Sequence, residues 1–401
     1  MRTEQTRSPS ANHLKVLFLT HSFPRFSGDA PGSFLLRLAI ALREEDVHVH
    51  VVAPAAEGVP TEGEIDGITV ERFRYAPRKY EKLAYTGNMA QDVATSWSAR
   101  LALVGFFGSD FVRAVGARRS FDPDVIHAHW WFPNGVVGTW LASLSHKPLV
   151  TTLHGTDVRL AKKIGMSRPL FRHVLNQSAS VTTVSSWLSS EVSGLVSVKR
   201  PTVAPMPVAT ERFVPGSFRE KNRFLFAGRL NRQKGLEQLI RALPLMKQHA
   251  LLDVVGAGPL ESKLRSLASE LGVADRIAWM GQLKQADLVR LYQTATAVVV
   301  PSIDEGLGLV AAEALLCETP VVAFNSGGLT DIVKHERTGL LVPPGKVKDL
   351  AEALDRLLTS PELAADLGKA GRIFALSAFA PESAARQYSA IYQRAIGEHP
   401  A

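Results

Sequence analysis

Short apolar runs and amphipathic runs alternate along the whole chain. In the first half, the apolar runs begin at Lys15, Val47, Asp124, Pro148 and Ala179, and each is followed by a polar or glycine-containing loop. After the first loop, apolar residues recur at helical spacing over residues 33–43 and predict a helix there. Strands that alternate with helices in this way predict a parallel sheet covered by helices.

A second series of apolar runs follows the proline-containing stretch 201–215. These runs begin at Asn222, His249, Arg276, Ala295, Thr319 and Thr338, with helical runs between them. The pattern therefore predicts two successive α/β units, each with a doubly wound parallel sheet. A length of 401 residues fits two domains. We predict a first domain over residues 13–200, a linker over 201–220 and a second domain over 221–379.

The composition is that of an ordinary globular protein, 46% hydrophobic and 21% charged. No apolar run approaches the roughly 18 residues that would span a membrane. Residues 1–12 are polar and lack the apolar centre of a signal peptide, so we predict a disordered tail. Cys317 is the single cysteine, which excludes an internal disulfide and favours the cytoplasm.

Positive charge is concentrated in residues 72–119. This segment has nine Lys and Arg against three Asp and Glu, a net +6 in a chain whose formal charge is +8, and it contains eight aromatic residues. A basic aromatic surface attracts anionic lipid, so one interpretation is a face that meets the acceptor or the inner face of the membrane that bears it. The alternative is a pair of solvated helices with apolar inner faces. We expect no nucleic-acid partner.

Two carboxylates flank a glycine-containing turn in DEGLGLVAAE, residues 304–313. The apolar run 298–301 predicts a buried strand, and a helix is expected from near Gly308 to about Cys317, because Pro320 cannot continue it. The N–H groups of residues 306–310 would then point out of a helix N-terminus, which binds anions. Since Glu305 and Glu313 would repel an anion alone, the expected ligand offers hydroxyls as well as phosphate. A nucleotide sugar meets both requirements.

The string E-G-x-G-L-x-x-x-E resembles the Glu-x7-Glu signature of retaining GT-B glycosyltransferases of family 4. Further matches, in the family's order and spacing, are Val125-Ile-His-Ala-His129, His154-Gly-Thr-Asp157, Gly228-Arg-Leu-Asn-Arg-Gln-Lys234-Gly, Gly256-Ala-Gly-Pro259 and Gly339-Leu-Leu-Val-Pro343. The resemblance covers residues 15–396. It implies a GT-B fold, in which two Rossmann-like domains face a cleft. The first domain would bind the acceptor and the second the donor, and the C-terminal helix, within residues 380–401, would cross back to the first domain.

The resemblance also implies roles for charged residues. Arg229 and Lys234 would hold the donor diphosphate and stabilise the leaving group as its charge grows. His154 would lie at the transferred sugar, near its primary hydroxyl, and Glu305 would contact the same sugar. Asp157 is assigned either to donor binding or to capping the next helix. These roles imply metal-independent transfer, with the nucleoside-diphosphate sugar as substrate, no cofactor and no assigned nucleophile.

The remaining donor contacts are expected from loops and from the helix N-terminus. Gly256 and Gly258 would let the chain pass beneath the base and ribose, although a simple tight turn explains them equally well. Glu313 resembles the family's ribose-binding glutamate. The further donor-binding candidates are Gly32, Met280, Gln282, Gly306, Leu307, Gly308 and Leu309. The first loop departs from the adjacent glycine pair common in the family, since its glycines, Gly28 and Gly32, are spaced apart, and His21 and Arg25 are weaker candidates there.

Other chemistries fit the motifs less well. Asp122-Pro-Asp124 has the Asp-x-Asp form of a metal site, but it precedes a buried strand, at the end opposite to the ligands, so no metal site is predicted. A dehydrogenase would need Gly-x-Gly-x-x-Gly after an early strand, and the run from Gly256 lacks the third glycine. The alternatives that remain are a nucleotide-sugar epimerase of the same fold and a non-catalytic nucleotide-sugar-binding module.

Overall fold

The computed structural model describes residues 13–85 and 89–399. The predicted tail over residues 1–12 lies outside this part of the chain. The described residues divide into two compact units. The first comprises the residues up to 151 together with 174–180 and those from 385 onward, and the second comprises 152–173 and 181–384.

The first sheet has eight strands in the order β3-β4-β2-β1-β5-β6-β7-β8. The strands are β1 (Leu14–Leu19), β2 (Val47–Pro54), β3 (Glu62–Ile65), β4 (Ile68–Phe73), β5 (Val125–His129), β6 (Leu149–Leu153), β7 (Ser180–Thr183) and β8 (Thr202–Val203). Strand β1 pairs in parallel with both β2 and β5, whereas β3 is antiparallel to β4. All five strands predicted from the apolar runs are confirmed. The apolar runs did not predict β3, β4 or β8.

The helices up to residue 195 are α1 (Ser33–Arg43), α2 (Met89–Thr95), α3 (Trp97–Phe121), α4 (Val136–Ser145), α5 (Thr156–Lys163), α6 (Arg168–Gln177) and α7 (Ser186–Leu195). Helix α1 has the predicted bounds, because its leucines recur on one face and are buried against the sheet. It begins after Gly32, which has a φ of 71° that favours glycine.

The second sheet has six strands in the order β11-β10-β9-β12-β13-β14, and every pairing is parallel. The strands are β9 (Arg223–Ala227), β10 (Leu251–Val255), β11 (Ile277–Gly281), β12 (Ala297–Val300), β13 (Val321–Phe324) and β14 (Gly339–Val342). All six are the strands that the apolar runs predict. In chain order the sheet reads 3-2-1-4-5-6, which is the order of a Rossmann fold.

The helices that follow β9 are α8 (Leu236–Ala242), α9 (Glu261–Glu270), α10 (Gln285–Thr294), α11 (Leu309–Leu316), α12 (Leu329–Ile332), α13 (Val347–Thr359), α14 (Pro361–Phe379) and α15 (Pro381–Gly397). Helix α11 starts directly after Gly308 and stops before Pro320, as predicted. The predicted terminal helix is confirmed as α15, and its residues from Ala385 onward belong to the first unit.

Each unit has its own apolar core. In the first, Leu17, Leu19 and Val52 of the sheet form one cluster with Phe106 of α3 and Val137 of α4. In the second, the inward side chains of β9, β10 and β12 cluster with apolar residues of α8, α9 and α13. Parallel strands covered in this way are apolar at nearly every position, which explains why continuous apolar runs identify them.

The basic aromatic segment 72–119 forms more than a pair of helices. It begins at the end of β4 and continues through α2 and α3. Phe73, Tyr75 and Phe106 are buried, so part of its aromatic content belongs to the core. The outer face of α3 is nevertheless apolar, as described below. No helix in the described residues is both long enough and apolar enough to cross a membrane.

Candidate active site

The order of the second sheet reverses between β9 and β12. Strands β9 and β12 are neighbours, but the chain continues from β9 toward one edge and from β12 toward the other. Ligands of open α/β sheets bind in the crevice that such a reversal leaves at the carboxyl ends of the strands. Five of the predicted charged and glycine site residues lie in the loops at this point, residues 228–235 and 301–308: Arg229, Lys234, Glu305, Gly306 and Gly308.

The loop after β9 is held by its own side chains and by the loop after β12. Asn231 Oδ1 accepts a hydrogen bond of 3.1 Å from the backbone N–H of Lys234. Gly235 has a φ of 69°, and a Cβ at this position would lie 1.9 Å from the carbonyl oxygen of Pro301. Only glycine therefore allows the two loops to approach so closely. Arg229 is exposed on the same loop.

The loop after β12 is fixed on both sides. The backbone N–H of Ile303 donates to the carbonyl oxygen of Gln233 at 2.9 Å, and Gln233 Nε2 donates to the carbonyl oxygen of Asp304 at 3.2 Å. On the other side, the N–H of Gly328 donates to the carbonyl oxygen of Glu305 at 2.8 Å. The backbone of Glu305 is thus held between the loops that follow β9 and β13.

The structure brings the predicted site residues Lys234 and Glu305 into direct contact. Lys234 Nζ lies 2.7 Å from Glu305 Oε2, and the two side chains are only 23% and 15% exposed. Opposite charges at this distance in a partly buried crevice attract strongly. A cation of this kind can bind phosphate, and a carboxylate can accept hydrogen bonds from hydroxyl groups.

The second glutamate of the motif is bonded to a tyrosine outside the motif. Glu313 lies on the second turn of α11, and its Oε2 accepts a hydrogen bond of 2.9 Å from the hydroxyl of Tyr292. Burial, together with the neighbouring carboxylate, raises the pKa of Tyr292 well above its usual value, so the phenol stays a donor. Tyr292 fixes the orientation of Glu313. Sequence reasoning missed it, because it belongs to an ordinary amphipathic helix.

The N-terminus of α11 is built from the other candidates of the motif. Gly308 has a φ of 96°, and its carbonyl oxygen accepts from the N–H of Ala311 at 2.9 Å. Gly306, Leu307 and Gly308 are buried, and Leu309 begins the helix. Contacts of these residues with a donor would therefore come mainly from the backbone. Their assignment to donor binding stays a prediction.

The motif His154-Gly-Thr-Asp157 forms a tight turn after β6. One oxygen of Asp157, Oδ1, accepts hydrogen bonds from the backbone N–H groups of His154, Gly155 and Val158 at 3.1, 2.9 and 3.0 Å. A Cβ on Gly306 would lie 2.3 Å from the carbonyl oxygen of His154, so this turn packs against the Glu305 loop. Asp157 is buried and organises the turn that carries His154.

The glycines after β10 serve close contacts between neighbouring loops. Gly256 has a φ of 132°, and a Cβ there would lie 1.9 Å from the carbonyl oxygen of Gly228. A Cβ on Gly258 would lie 2.4 Å from the carbonyl oxygen of Leu230. The loop after β11 adjoins them, since the N–H of Gly256 donates to the carbonyl oxygen of Gly281 at 2.7 Å. Met280 and Gln282, on either side of that glycine, are exposed.

Three weaker or separate candidates belong to the first unit. Gly32 precedes α1, and a Cβ there would lie 2.4 Å from the carbonyl oxygen of Ser22. Arg25 forms two hydrogen bonds to the buried carboxylate of Asp29, with Nε–Oδ2 at 2.7 Å and Nη2–Oδ1 at 2.9 Å. Its charge is therefore engaged within its own loop. His21 follows β1 and contacts Asn134, as described below.

The Asp122-Pro-Asp124 motif has a structural role. Asp124 Oδ2 accepts from the backbone N–H of Lys15 at 2.9 Å, at the amino ends of β1 and β5. His127 lies on β5, and its Nδ1 is 2.7 Å from the hydroxyl of Tyr392. Within the described residues, no group of three or more His, Cys, Asp and Glu side chains has the arrangement of a metal site.

Two α/β units built on mainly parallel sheets, with a cation and a carboxylate at the reversal of the second sheet, are the arrangement expected of a GT-B glycosyltransferase. The family model of Glycosyltransferase Family 4 matches residues 32–212, and that of Glycosyl transferases group 1 matches residues 208–374. The chain belongs to this family of glycosyltransferases. The family, fold class and enzyme class expected from the sequence are thereby confirmed.

Several named relatives are similar over most of their length. The D-inositol 3-phosphate glycosyltransferase of Pseudarthrobacter chlorophenolicus is 31% identical, over 92% of this chain and 93% of the relative. The MMP alpha-(1->4)-mannosyltransferase of Mycolicibacterium hassiacum is 30% identical, over 76% of this chain and 79% of the relative. The names of these two relatives refer to different substrates, so the similarity does not identify the substrate of this chain.

Solved structures share the fold. Sucrose-phosphate synthase from Thermosynechococcus elongatus has a TM-score of 0.80 at 24% identity, over 96% of this chain and 99% of that one. The Anabaena protein HepE, solved in complex with UDP-glucose, has a TM-score of 0.70 at 20% identity, over 95% of this chain and all of that one.

Proposed function

We propose that the chain transfers a sugar from a nucleoside-diphosphate sugar to a hydroxyl acceptor, with retention of anomeric configuration and without a metal ion. The observation that carries this proposal is the contact between Lys234 and Glu305 at the reversal of the second sheet. A nucleoside-diphosphate sugar is an anion joined directly to a polyhydroxylated ring. A cation next to a carboxylate is complementary to both parts.

Lys234 and Arg229 stabilise the leaving diphosphate. When the bond between the anomeric carbon and the phosphate oxygen breaks, negative charge grows on that oxygen. The backbone N–H of Lys234 is bonded to Asn231 within the loop, so the side chain extends toward this charge from a fixed backbone position. Arg229, exposed on the same loop, can reach a second phosphate oxygen. The two cations neutralise the charge of the leaving diphosphate, a role that a divalent metal ion has in other transferases.

Glu305 holds the donor sugar through its hydroxyl groups. In the ligand-free chain its charge is balanced by Lys234. When the diphosphate engages the ammonium group, the carboxylate accepts hydrogen bonds from the sugar, so the ion pair is exchanged for contacts with the donor. Glu313, oriented by Tyr292, accepts the ribose hydroxyls in the same way.

Retention follows if acceptor attack and diphosphate departure occur on one face of the sugar. The acceptor oxygen forms its bond to the anomeric carbon as the phosphate oxygen leaves, and the acceptor proton passes to that phosphate oxygen. His154, in the turn against Gly306, lies beside the sugar-binding loop and orients the donor. No protein nucleophile is required by this scheme. The UDP-glucose complex of HepE supports a nucleotide sugar as the donor.

A donor screen tests the proposal. Labelled UDP-glucose, GDP-mannose and ADP-glucose are incubated with the chain, with and without candidate acceptors such as myo-inositol phosphate, and free nucleoside diphosphate is measured. Acceptor-dependent release that is unaffected by EDTA, with a product of unchanged anomeric configuration by NMR, is the expected result. An isomerised nucleotide sugar would instead indicate an epimerase. Tight binding without release from any donor would indicate a binding module.

We also propose that α3 makes a peripheral contact with an anionic membrane at the cytoplasmic side. Its outer face exposes Trp97, Leu101, Val104 and Val112, each more than 60% exposed and spaced so that they lie on one side of the helix. Arg100 and Arg119 are exposed on this helix. An apolar row with basic neighbours is the chemistry that binds the interface of an anionic bilayer.

Liposome flotation tests this contact. Vesicles with anionic lipid should carry the chain upward at low salt, and the fraction bound should fall as salt rises. Trp97→Ser with Leu101→Ser should abolish flotation, whereas Ile373→Ser, which changes a 73% exposed residue of α14, should not. Equal flotation of the two variants, or none of the wild type, would contradict the membrane contact.

A further inference from the structure

Three polar side chains are hydrogen-bonded in series inside the first unit. Asn134 Nδ2 donates to Asp110 Oδ2 at 3.0 Å, and Asn134 Oδ1 lies 3.2 Å from His21 Nδ1. Asp110 and Asn134 are fully buried, whereas His21 keeps partial exposure. Asp110 belongs to α3, a helix whose other buried residues are apolar. Burying polar side chains in an apolar layer costs free energy, which the hydrogen bonds within this series offset in part.

The series ends at a position where ligands bind in this class of sheet. His21 follows β1 and Asn134 follows β5, and these strands are neighbours. From β1 the sheet continues toward β2, and from β5 toward β6, so its order reverses between them. His21 therefore lies at the carboxyl-end crevice of the first sheet. The second sheet has its Lys234 and Glu305 pair at the equivalent reversal.

The direction of the bonds determines which nitrogen of His21 carries the proton. Because the Asn134 amide donates to Asp110, its carbonyl oxygen faces His21 and must receive a hydrogen bond. A neutral imidazole that donates from Nδ1 has a lone pair on Nε2. His21 is neutral at physiological pH, since burial lowers its pKa to about 4 in spite of the bond to Asn134.

Asp110 and the ring of Trp130 hold this arrangement. Burial raises the pKa of Asp110 well above its usual value, and its Oδ2 accepts a hydrogen bond from Asn134. Its second oxygen, Oδ1, is buried without a hydrogen-bond partner among the described residues. The hydrogen bond of its side chain is therefore the one it accepts from the amide of Asn134. The imidazole of His21 also packs on Trp130, with ring centroids 4.3 Å apart. Both the tautomer and the plane of the ring are thus set by protein contacts.

We propose that Asp110 and Asn134 are positioning residues that keep His21 protonated on Nδ1, so that its Nε2 accepts a hydrogen bond from the acceptor hydroxyl. This inference rests on the function proposed above, in which a hydroxyl compound is the acceptor of the sugar. A weakly basic imidazole orients the bound hydroxyl through this hydrogen bond, but it does not keep the proton.

The tautomer can be measured without any substrate. In nitrogen-15 NMR of histidine-labelled full-length chain at pH 7, His21 is assigned by the signals that disappear in His21→Gln. We expect its proton on Nδ1 in the wild type and in Asp110→Asn, whose amide carbonyl still accepts from Asn134. In Asp110→Ala the orienting acceptor is lost, and the proton should move toward Nε2. A wild-type His21 with its proton on Nε2, which a flipped Asn134 amide would produce, overturns the proposal.

Kinetics with the donor and acceptor found in the screen test the role of His21. His21→Gln and Asp110→Ala should lower kcat/KM for the acceptor by about tenfold or more, with the KM for the donor changed by less than about twofold, since orientation of the hydroxyl alone is lost. Asp110→Asn should keep the acceptor kinetics that Asp110→Ala loses. The matched control is His249→Gln, which changes an exposed histidine before β10 and should leave the kinetics unchanged. Unchanged acceptor kinetics in His21→Gln overturn the assignment. If no donor is turned over, the proposed function fails, whereas the NMR result still decides the hydrogen-bond series.

Discussion

Lys234 Nζ lies 2.7 Å from Glu305 Oε2, although the two residues are 71 positions apart and follow different strands. The contact exists because β9 and β12 are neighbours in the sheet, and the loops that follow them are locked together at Gly235 and Pro301. In the ligand-free chain each charge balances the other. A donor that binds here must exchange this ion pair for its own phosphate and hydroxyl contacts.

Removal of either cation should slow transfer. Charge-assisted contacts with a leaving group are worth roughly 2 kcal/mol or more, so Lys234→Ala and Arg229→Ala should each lower kcat by at least about 30-fold. The measurement is the rate of nucleoside diphosphate release at saturating donor. Arg241→Ala removes an exposed arginine that pairs with Glu237 on α8 and should leave the rate unchanged. Turnover within about twofold of wild type in both cation variants would refute the diphosphate assignment.

The ion pair should contribute modestly to the stability of the ligand-free chain. Its side chains are 23% and 15% exposed, so solvent screens part of the attraction, and we expect a coupling of about 1 kcal/mol. A double-mutant cycle of Lys234→Ala and Glu305→Ala, measured as free energies of unfolding in urea, isolates this value. Strict additivity of the two substitutions would mean that the contact does not hold in solution.

Asp157 should stabilise the turn that carries His154. Three backbone N–H groups donate to its Oδ1, and the residue is buried. Asp157→Ala leaves them without this acceptor and should lower the free energy of unfolding by about 2–4 kcal/mol. Asp157→Asn keeps an acceptor oxygen and should lose less than half as much. Equal losses in the two variants would show that the charge, rather than the acceptor geometry, holds the turn.

The second sheet and five strands of the first could be predicted from the sequence, whereas the contacts within the site could not. Buried parallel strands give continuous apolar runs, so β1 and β9 are visible, but β3 has one buried residue in four and gives no such signal. Lys234 and Glu305 belong to two separate motifs, and their contact depends on the order of the strands in the sheet, which the motifs do not give. Tyr292 belongs to no motif, and only its burial beside Glu313 reveals its role.

A side chain at Gly256 should disrupt the loops that carry the proposed donor site. Its φ of 132° disfavours any L-residue, and a Cβ would lie 1.9 Å from the carbonyl oxygen of Gly228. Gly256→Ala should therefore weaken donor binding, measured by calorimetry with UDP-glucose or the donor found active. Gly194→Ala is the matched control, because nothing lies within 4 Å of its added Cβ in α7, and it should stabilise the chain by about 0.5–1 kcal/mol. Unaltered donor affinity in Gly256→Ala would show that the loops can separate without cost.

The stability of the chain should fall on acidification because His21 stays neutral when folded. Its pKa is lowered from 6.5 to about 4 by burial. Above pH 6.5 both the folded and unfolded forms are neutral at this residue. Between pH 6.5 and 4 the unfolded form binds a proton that the folded form does not, so up to about 3 kcal/mol of stability is lost as the pH falls.

Neighbouring groups also titrate, so the test compares two chains rather than two pH values. Burial raises the pKa of Asp110, which makes its own contribution decrease as the pH rises, and the pKa of His129 is lowered by burial in the same unit as His21. Both residues are kept in His21→Gln, and the charge of His21 is the smallest of the causes that lower the pKa of His129, after burial and His127. The difference in free energy of unfolding between wild type and His21→Gln, measured in urea at pH 7 and pH 4, should therefore change by about 3 kcal/mol, with the wild type losing more. Parallel pH profiles would mean that the imidazole becomes protonated without unfolding, and that the hydrogen bond to Asn134 does not require a neutral ring.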